Sequence, residues 1–484
     1  MKKIRLFICI FLLLILVVGC KSDNDKKDNG GGNQSLTFKM LTNGTYEVTG
    51  IGTVKDSNVV IPSTYKEKNV TRIGHNAFKK NSQIESIFIP STVTEFGWNV
   101  FEECTALKEI EISEEIEMLP MNTFRNCISL TKIIFSNKIK QIDTGAFSGC
   151  TQLNDVYYKG SVADWCNIDF VNSDSNPMFY GKNFYTMDNN QWTKLTTLDV
   201  PSSISKIKKY QFIGFECLTS INFSDNLEQI EENAFSNCTC IKEINLKNLN
   251  EIGSYVFSNC SELVDVKFTA SIKRLGVGCF SYCTSIKEVM IGPSVEQIGY
   301  DIFRGCTSLE KITIPFVGKT KDSDIDYFGY FFGFNLGDNF AEVDNMNYVP
   351  KSIKEVTITN DNNIGENAFA NCEYIETIEM SDTVKSIEKG AFSCCRALEN
   401  IKLSNTLEVI KTKAFNYCQN LKTIFIPKSV SSIEYLTFSV CFDLTVLCEH
   451  TSIPTTWDEY WNGVDFMINN KIPTCKYLLG CTQK

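Results

Sequence analysis

The chain has 484 residues. A single globular core rarely includes so many residues, so several domains or a repeat array are expected. Its 43% hydrophobic and 21% charged residues are typical of an ordered protein and exclude a solvated tail. The net charge of -10 argues against nucleic acid as a partner, because phosphate binding requires a concentrated positive surface.

Residues 1–19 have the layout of an export signal, with three basic residues ahead of an unbroken apolar run over 6–18. The run leads into Cys20 in a pattern that resembles the lipobox of bacterial lipoproteins, although Val17 stands where that motif prefers leucine. The resemblance implies cleavage before Cys20 and lipidation of its thiol, which anchors a protein to a membrane. The alternative, an uncleaved membrane helix, needs about 20 apolar residues, more than this run supplies.

Residues 20–35 follow as a predicted flexible tether. Positions 21–33 contain no apolar residue, so the segment buries nothing that would offset the entropy of ordering it. We expect residues 36–72 to form an N-terminal cap or first repeat.

A repeat dominates residues 73–447. Phenylalanine recurs every 23 residues, once 22, within three blocks, at positions 78, 101, 124 and 147, then 212, 235, 257, 280 and 303, then 369, 392, 415 and 438. The unit around it reads I-x-x-x-A-F-x-x-C-x-x-L-x-x-I-x-I. In L-x-x-I-x-I, alternation places Leu and Ile inward and the residues between them outward, as in a short strand.

Two degenerate turns are predicted in the gaps between the blocks. Leu195, Leu198 and Val200 repeat the L-x-x-I-x-I spacing in the first gap, and Ile353, Val356 and Ile358 repeat it in the second. A single unit is too small to bury its own core, so units must stack on one another. We therefore predict an α/β-type repeat solenoid of about fifteen turns, with a parallel β-sheet on one face and short helical or irregular segments on the other.

Cysteine fills the third position after the phenylalanine in eleven units. Leucine-rich repeats place Asn or Cys at a tight interior corner, and a free cysteine there behaves as a small buried hydrophobe. Buried thiols are favoured over disulfides between turns, because parallel side chains do not fit the disulfide dihedral, and over metal binding. Near the end of the chain, Cys448, Cys475 and Cys481 are a separate group in which a bridge is a reasonable alternative.

The outward column of the predicted sheet is the candidate binding face. Its members of most interest are Phe88, Glu111, Ile134, Tyr157, Met290 and Phe425. A contiguous exposed apolar patch marks protein contacts, whereas isolated aromatic and branched residues merely favour strands. A neighbouring column carries several acids that would steer a basic partner or simply keep the protein soluble.

Two insertions, near 158–195 and 316–352, interrupt the array. The second contains an aromatic run between Tyr327 and Phe334, for which packing under a loop is favoured over a ligand site. Residues 448–484 are expected to cap the C-terminal end.

The A-F-x-x-C unit over 73–447 resembles the BspA-like leucine-rich repeats of bacterial surface proteins. The opening segment from Leu36, the Tyr157–Trp165 stretch and the closing Cys448–Trp457 stretch resemble further parts of that family. The resemblance implies a right-handed repeat array and, for the family, adhesion to host matrix proteins or to other microbes.

Catalysis is not predicted, because the chain has only two histidines, His75 and His450, at opposite ends of the array. A nucleophile–base pair or a histidine-based zinc site requires clustered ligands. No cofactor is expected. The leading hypothesis is an exported, lipid-anchored adhesion or protein-interaction scaffold whose partner is a host matrix or microbial surface protein. The alternative is a carbohydrate-capture or cell-envelope structural lipoprotein, with Tyr157, Trp165 and Trp192 as sugar-stacking platforms.

Overall fold

The computed structural model describes residues 35–188, 190–321, 327–333, 340–344, 347–462 and 476–481. The predicted leader, Cys20 and nearly all of the tether therefore lie outside the described residues, as does Cys475. The described chain is a succession of short strands and turns that repeats about every 23 residues, which confirms the predicted solenoid.

One face of the solenoid is a parallel sheet, here called the front sheet, built in consecutive segments from one strand per turn. Equivalent residues of successive turns pair in register, as Ile133 does with Val156 and Ile134 with Tyr157. The front strands are Asn58–Val60, Ser86–Phe88, Glu109–Glu111, Lys132–Phe135, Asp155–Tyr158, Asn183–Asp188, Thr197–Asp199, Ser220–Asn222, Glu243–Asn245, Asp265–Lys267, Glu288–Met290, Lys311–Ile314, Glu355–Ile358, Thr377–Met380, Asn400–Lys402, Thr423–Ile426, Thr445–Cys448 and Lys476–Leu479.

A second ladder of parallel strands, mostly two residues long, forms the back of the solenoid. It was not expected from the sequence, because two residues are too few to show a period. The back strands are Lys68–Ile73, Glu95–Phe96, Met118–Leu119, Gln141–Ile142, Asp169–Phe170, Lys206–Ile207, Gln229–Ile230, Glu251–Ile252, Arg274–Leu275, Gln297–Ile298, Asn363–Ile364, Ser386–Ile387, Val409–Ile410 and Ser432–Ile433.

The remaining elements lie in the cap and the insertions. In the cap, Thr37–Met40 pairs with Tyr46–Gly50, and both Tyr46–Gly50 and Thr64–Tyr65 pair with Lys68–Ile73. Three further strands belong to the insertions: Gln191–Lys194, and the hairpin of Phe340–Asp344 with Asn347–Pro350. Among the described residues, helix is confined to Val162–Trp165 and the 3₁₀ turns Ser173–Ser175, Pro177–Phe179 and Phe328–Phe331.

In each regular turn, the segment that joins the back strand to the next front strand contains the phenylalanine. Of the two predicted forms for such segments, helical or irregular, it takes the irregular one. Two positions in most turns, two residues before and two after the phenylalanine, adopt the left-handed conformation, as at Asn122 (φ 57°) and Asn126 (φ 58°). Asn and Gly tolerate this conformation, and a left-handed residue every four positions prevents an α-helix from forming.

Each predicted column of core residues is confirmed. The phenylalanine rings are buried and stack between successive turns, for example Phe101 on Phe124 at a centroid distance of 5.4 Å. In eleven turns the residue three positions after the phenylalanine is a cysteine, and each of these cysteines is a buried thiol. Ten of the eleven thiols donate to the carbonyl of the phenylalanine one turn earlier than their own, as Cys127 does to Phe101 at 3.0 Å.

The structure has about 17 turns, where the phenylalanine pattern predicted fifteen. The two degenerate turns are present as the front strands Thr197–Asp199 and Glu355–Ile358. Three front strands lie outside the phenylalanine pattern, namely Asn58–Val60, Asn183–Asp188 and Lys476–Leu479, so the front strands slightly outnumber the complete turns.

Candidate binding surface

The outward residues of the front strands form one column along the solenoid, here called the front column. Because the strands pair in register, residues at equivalent positions lie on adjacent rungs, about 4.8 Å apart. The front column contains all six predicted face residues, but they fall into three separate groups rather than one surface.

The first group is the N-terminal patch. It follows six successive rungs of the front column, in the order Val60, Phe88, Glu111, Ile134, Tyr157 and Tyr185. Val60 and Phe88 are 65% and 47% exposed, which is high for apolar side chains. Glu111 is the one charge in the row, and its carboxylate lies 2.7 Å from Lys159 Nζ. The patch therefore spans roughly 25 Å with little net charge.

An aromatic cluster ends the N-terminal patch. The rings of Tyr157 and Tyr185 stack at 4.4 Å, and Trp192 meets Tyr157 edge-on at 4.9 Å. Lys132 Nζ lies 5.4 Å from the Tyr157 ring centroid, within cation–π distance. Burial first, and the Asp155 carboxylate second, raise the pKa of the Tyr157 and Tyr185 hydroxyls, so both remain protonated donors at neutral pH.

The insertion builds this cluster. The strand Asn183–Asp188 runs beyond the ordinary front strands and folds back as Gln191–Lys194, which places Trp192 opposite Met187. Residues two apart on a strand share a face, so Trp192 and Met187 lie on the same side as Tyr185. Tyr185 was missed in the sequence analysis, because the insertion does not follow the repeat and the residue could not be assigned to a column.

Met290 stands alone. It is 60% exposed, pairs in register with Thr313, and has Lys267 at the equivalent position of the preceding turn. An isolated apolar residue among polar neighbours needs no functional explanation.

Phe425 belongs to a third group, the C-terminal patch. It pairs in register with Leu447, which pairs with Leu478 on the last described strand. Leu478 is 56% exposed, whereas Phe425 and Leu447 are partly covered. Fourteen rungs separate Phe425 from Phe88, so the two patches cannot share one compact ligand.

Charges beside the front column are paired between rungs. Glu109 pairs with Lys132 one turn later at 3.7 Å, and Lys311 lies 3.5 Å from both Glu288 and Glu355. Such exposed pairs contribute little stability. They cancel part of the acidic field that the sequence suggested for this face, which weakens electrostatic steering of a basic partner.

Trp165, predicted as one of three sugar-stacking platforms, is buried, and this prediction is wrong. Its side chain is 1% exposed, and its indole N–H donates to the Gln211 carbonyl at 2.9 Å. The Gln211 amide in turn donates to the Trp165 carbonyl, and Asn176 donates to Gln211 as well. This buried network joins the two parts of the array across the first insertion, where the back ladder is interrupted.

The described part of the second insertion also serves packing, as predicted. Residues 327–333 fill one rung of the turn region: Phe303 N–H donates to Phe331 at 2.9 Å, and Phe328 N–H donates to Ala368 at 2.8 Å. The Phe328 ring lies 4.9 Å from Phe369, so the insertion continues the stack that the repeat leaves incomplete.

Within the described ranges, no group of three or more His, Cys, Asp or Glu side chains is arranged to hold a metal ion. His75 packs against Trp98 with ring centroids 4.3 Å apart and accepts the Trp98 backbone N–H, and His450 lies at the other end beside Trp457. A search of the same residues for a helix long and apolar enough to cross a bilayer finds none.

The model of the BspA type leucine-rich repeat region matches six copies in this chain, over residues 56–177, 182–317 and 342–457. The chain belongs to this family. BspA-type proteins are leucine-rich repeat proteins of bacterial cell surfaces, and their solenoids commonly bind proteins and are typically non-catalytic.

Solved structures with the same repeat are similar to this BspA-type chain. A leucine-rich repeat protein from Bacteroides ovatus is 26% identical, with 85% of this chain and 92% of that one covered and a TM-score of 0.52. A leucine rich cell surface protein from Faecalibacterium prausnitzii is 21% identical, covering 94% and 95%, with a TM-score of 0.25. The pneumococcal vaccine antigen PcpA is 16% identical, covering 93% and 92%, with a TM-score of 0.25. No curated protein matches significantly.

Proposed function

We propose that this BspA-type chain is a lipid-anchored surface protein that binds another protein through the N-terminal patch and performs no chemistry on it. The observation that carries the proposal is the continuity of the patch. From Val60 to Tyr185, five of six neighbouring outward residues are apolar or aromatic, and Trp192 extends them. Exposed apolar patches of this kind mark protein contacts.

The aromatic cluster supplies the expected energetic centre of the contact. Tyr and Trp dominate binding hot spots, since they bury large area at a low cost in side-chain entropy. The pairing of Glu111 with Lys159, and of Glu109 with Lys132, leaves the patch nearly neutral. The partner is therefore a protein with a largely uncharged apolar contact surface, and its affinity should change little between low and moderate salt.

The anchor is proposed from the sequence pattern at Cys20. A tether over 20–35 would hold the cap and the N-terminal patch at the membrane-proximal end of the solenoid. Attachment to the cell membrane or the outer membrane, with the solenoid facing outward, agrees with the export signal. Fractionation of cells expressing the full chain tests this: Cys20→Ala should release the protein from membranes, whereas Cys481→Ala should not.

The binding proposal is tested with the chain from Lys21 onward, which retains every described residue. Purified host matrix proteins and intact microbial cells are presented to the wild type and to two variants, each of which replaces one apolar residue with glutamate. Phe88→Glu places a charge in the N-terminal patch, and Met290→Glu places one at a more exposed but isolated site. We expect Phe88→Glu to abolish binding and Met290→Glu to retain it. Equal loss in both variants, or no binding by the wild type, would contradict the proposal.

A carbohydrate ligand is the second candidate, supported by one observation. Beside the Tyr157–Tyr185 stack, Asn183 donates to Asp155 at 2.9 Å, so amide and carboxylate groups lie next to partly exposed rings, an arrangement that suits sugar recognition. Glycan arrays probed with the same protein separate the two candidates. Glycan binding that is lost in Trp192→Ala but kept in Phe88→Glu would favour carbohydrate over protein.

A further inference from the structure

Two cysteines at the C-terminal end of the solenoid stand apart from the column of buried thiols. Cys448 ends the front strand Thr445–Cys448, and Cys481 follows the parallel strand Lys476–Leu479 beside it. The backbone N–H of Cys481 donates to the Cys448 carbonyl at 2.9 Å. A direct backbone bond between two residues brings their Cα atoms into the range of about 4.4–6.8 Å that a disulfide needs.

Their side chains also start from different backbone orientations, unlike those of the column. Column cysteines occupy equivalent positions of adjacent turns and point the same way. Cys448 instead pairs in register with Leu479, and Gly480 turns the chain before Cys481 with a φ of +73°. Gly480 N–H also donates to the His450 carbonyl at 2.8 Å, which fixes this turn across the end of the strand. The parallel arrangement that disfavours a bridge within the column is therefore absent here.

The two thiols differ in access to solvent. Cys481 is half-buried, while Cys448 is fully buried. Burial raises the pKa of Cys448 to about 11, and the nearby Cys481 is the second cause, which agrees with the closeness of the two side chains. A reagent from solution therefore reaches Cys481 first, and Cys448 is placed to complete an exchange.

We propose that Cys448 and Cys481 are a redox modification site that closes into an intramolecular disulfide. The oxidant is a disulfide, either small or carried by a thiol–disulfide oxidoreductase. The Cys481 thiolate attacks it and forms a mixed disulfide with release of one thiol. Cys448 then attacks the Cys481 sulfur, expelling the second thiol, so two electrons and two protons pass to the oxidant. Oxidising surroundings in the cell rest on the proposed export, but the chemistry itself does not.

The bond would fix the last described strand to the rung before it. That strand carries Leu478, the most exposed member of the C-terminal patch, and it is joined to the array by a long segment over 449–475. Cross-links that close long segments restrict the unfolded chain most. The consequence is a C-terminal end that stays closed in oxidising conditions and frays in reducing ones.

The test uses the chain from Lys21 onward, equilibrated with mixtures of oxidised and reduced glutathione, then denatured and alkylated. Peptide mapping should find a Cys448–Cys481 linked pair, and Cys481→Ser should leave Cys448 alkylated. Cys394→Ser, which removes a half-buried cysteine inside the array, is the matched control and should not change the linked pair. A bridge from either residue to Cys475, or both thiols still alkylated in excess oxidised glutathione, would overturn the proposal.

Hydrogen exchange supplies an independent readout. Reductant should speed exchange across Lys476–Leu479 by about tenfold in the wild type and leave Cys481→Ser unchanged. Equal exchange in oxidised and reduced wild type would contradict the proposed closure. Peptide mapping and hydrogen exchange are both made on purified protein, so their results do not depend on the outcome of the Cys20 fractionation, which tests the proposed anchor.

Discussion

The rings of Tyr157 and Tyr185 stack at 4.4 Å on neighbouring rungs, although Tyr157 belongs to the repeat and Tyr185 to an insertion. The insertion thus extends the apolar row that the repeat begins.

If this stack is the centre of the contact, Tyr185→Ala should weaken partner binding by about 2 kcal/mol, a thirtyfold loss, without unfolding the protein. Tyr435→Ala removes an exposed tyrosine at the far end of the array, outside both patches, and serves as the control. Titration calorimetry with the partner found by the matrix-protein screen measures both. Unchanged affinity in Tyr185→Ala would remove the aromatic cluster from the contact.

Loss of one ring from the phenylalanine stack should be costly. Phe257 is fully buried between Phe235 at 5.5 Å and Phe280 at 5.6 Å. Phe257→Ala is expected to reduce the free energy of unfolding by about 3–5 kcal/mol, whereas Val264→Ala, at a 53% exposed site, should change it by less than about 0.5 kcal/mol. Urea unfolding gives both values. Because turns contact only their neighbours, hydrogen exchange in Phe257→Ala should rise first in Glu243–Asn245 and Asp265–Lys267.

The column thiols should be inert while the protein is folded. Burial raises the pKa of Cys104, Cys150 and Cys306 to about 12, so they carry almost no thiolate at pH 8.5. Iodoacetamide is expected to modify the half-buried Cys240 and Cys394 and to reach the column only after urea unfolding. Mass spectrometry of the labelled peptides gives the order. Column labelling as fast as that of Cys240 in native buffer would refute the expectation.

The same pKa shift has a consequence for stability. A thiol whose pKa is raised by folding binds more protons in the folded state once the pH exceeds the ordinary value of 9.0. The contribution of such a thiol to the free energy of unfolding is therefore complete below pH 9 and is lost as the pH rises toward 12. Cys150→Ala should show a shallower loss of stability than the wild type between pH 9 and 11, measured by urea unfolding across that range.

Asp361 is a buried carboxylate with a pH-dependent cost. It accepts the Val317 N–H at 2.9 Å, yet burial raises its pKa to about 6, with backbone hydrogen bonds acting in the opposite direction. The ionised form is therefore disfavoured in the folded state, and stability falls as the pH rises from about 4 through 6. Relative to wild type, Asp361→Asn should gain up to about 3 kcal/mol on going from pH 4 to pH 7.5.

Asp382→Asn is the control for that measurement. Hydrogen bonds from Asn405 lower the pKa of the Asp382 carboxyl, so this variant should lose stability relative to wild type as the pH rises. If the difference in free energy of unfolding between Asp361→Asn and wild type did not change with pH, burial would not disfavour the ionised form of Asp361.

The core of the solenoid could be predicted because its columns depend on spacing alone. Inward Ile and Leu, the phenylalanine stack and the buried cysteines each follow from the same 23-residue period. The degenerate turns at Leu198 and Val356 could be found too, since they keep their inward pair while losing the phenylalanine. The back ladder could not be anticipated from pairs such as Gln141–Ile142, in which a single inward residue carries no alternation.

The candidate surface was predicted less completely, for a physical reason. An outward residue is defined by its turn, but its neighbours on the surface depend on what stacks beside it. Phe88, Met290 and Phe425 look equivalent in the sequence, yet only Phe88 and Phe425 have apolar neighbours, and in different patches. Trp165 was assigned to the surface because nothing in its local sequence shows that Gln211, far along the chain, would accept its indole N–H.

Because turns of equal length stack in register, the number of turns between two rungs fixes the distance between them. Between Tyr185 and Phe425 the front column is mostly polar, so the number of those rungs sets the distance between the N-terminal patch and the C-terminal patch. Removing one complete unit, from one phenylalanine to the next, would preserve every ladder and shorten that distance by a single fixed step. Gene variants that differ by whole units would thus change the separation of the two patches without altering the residues of either.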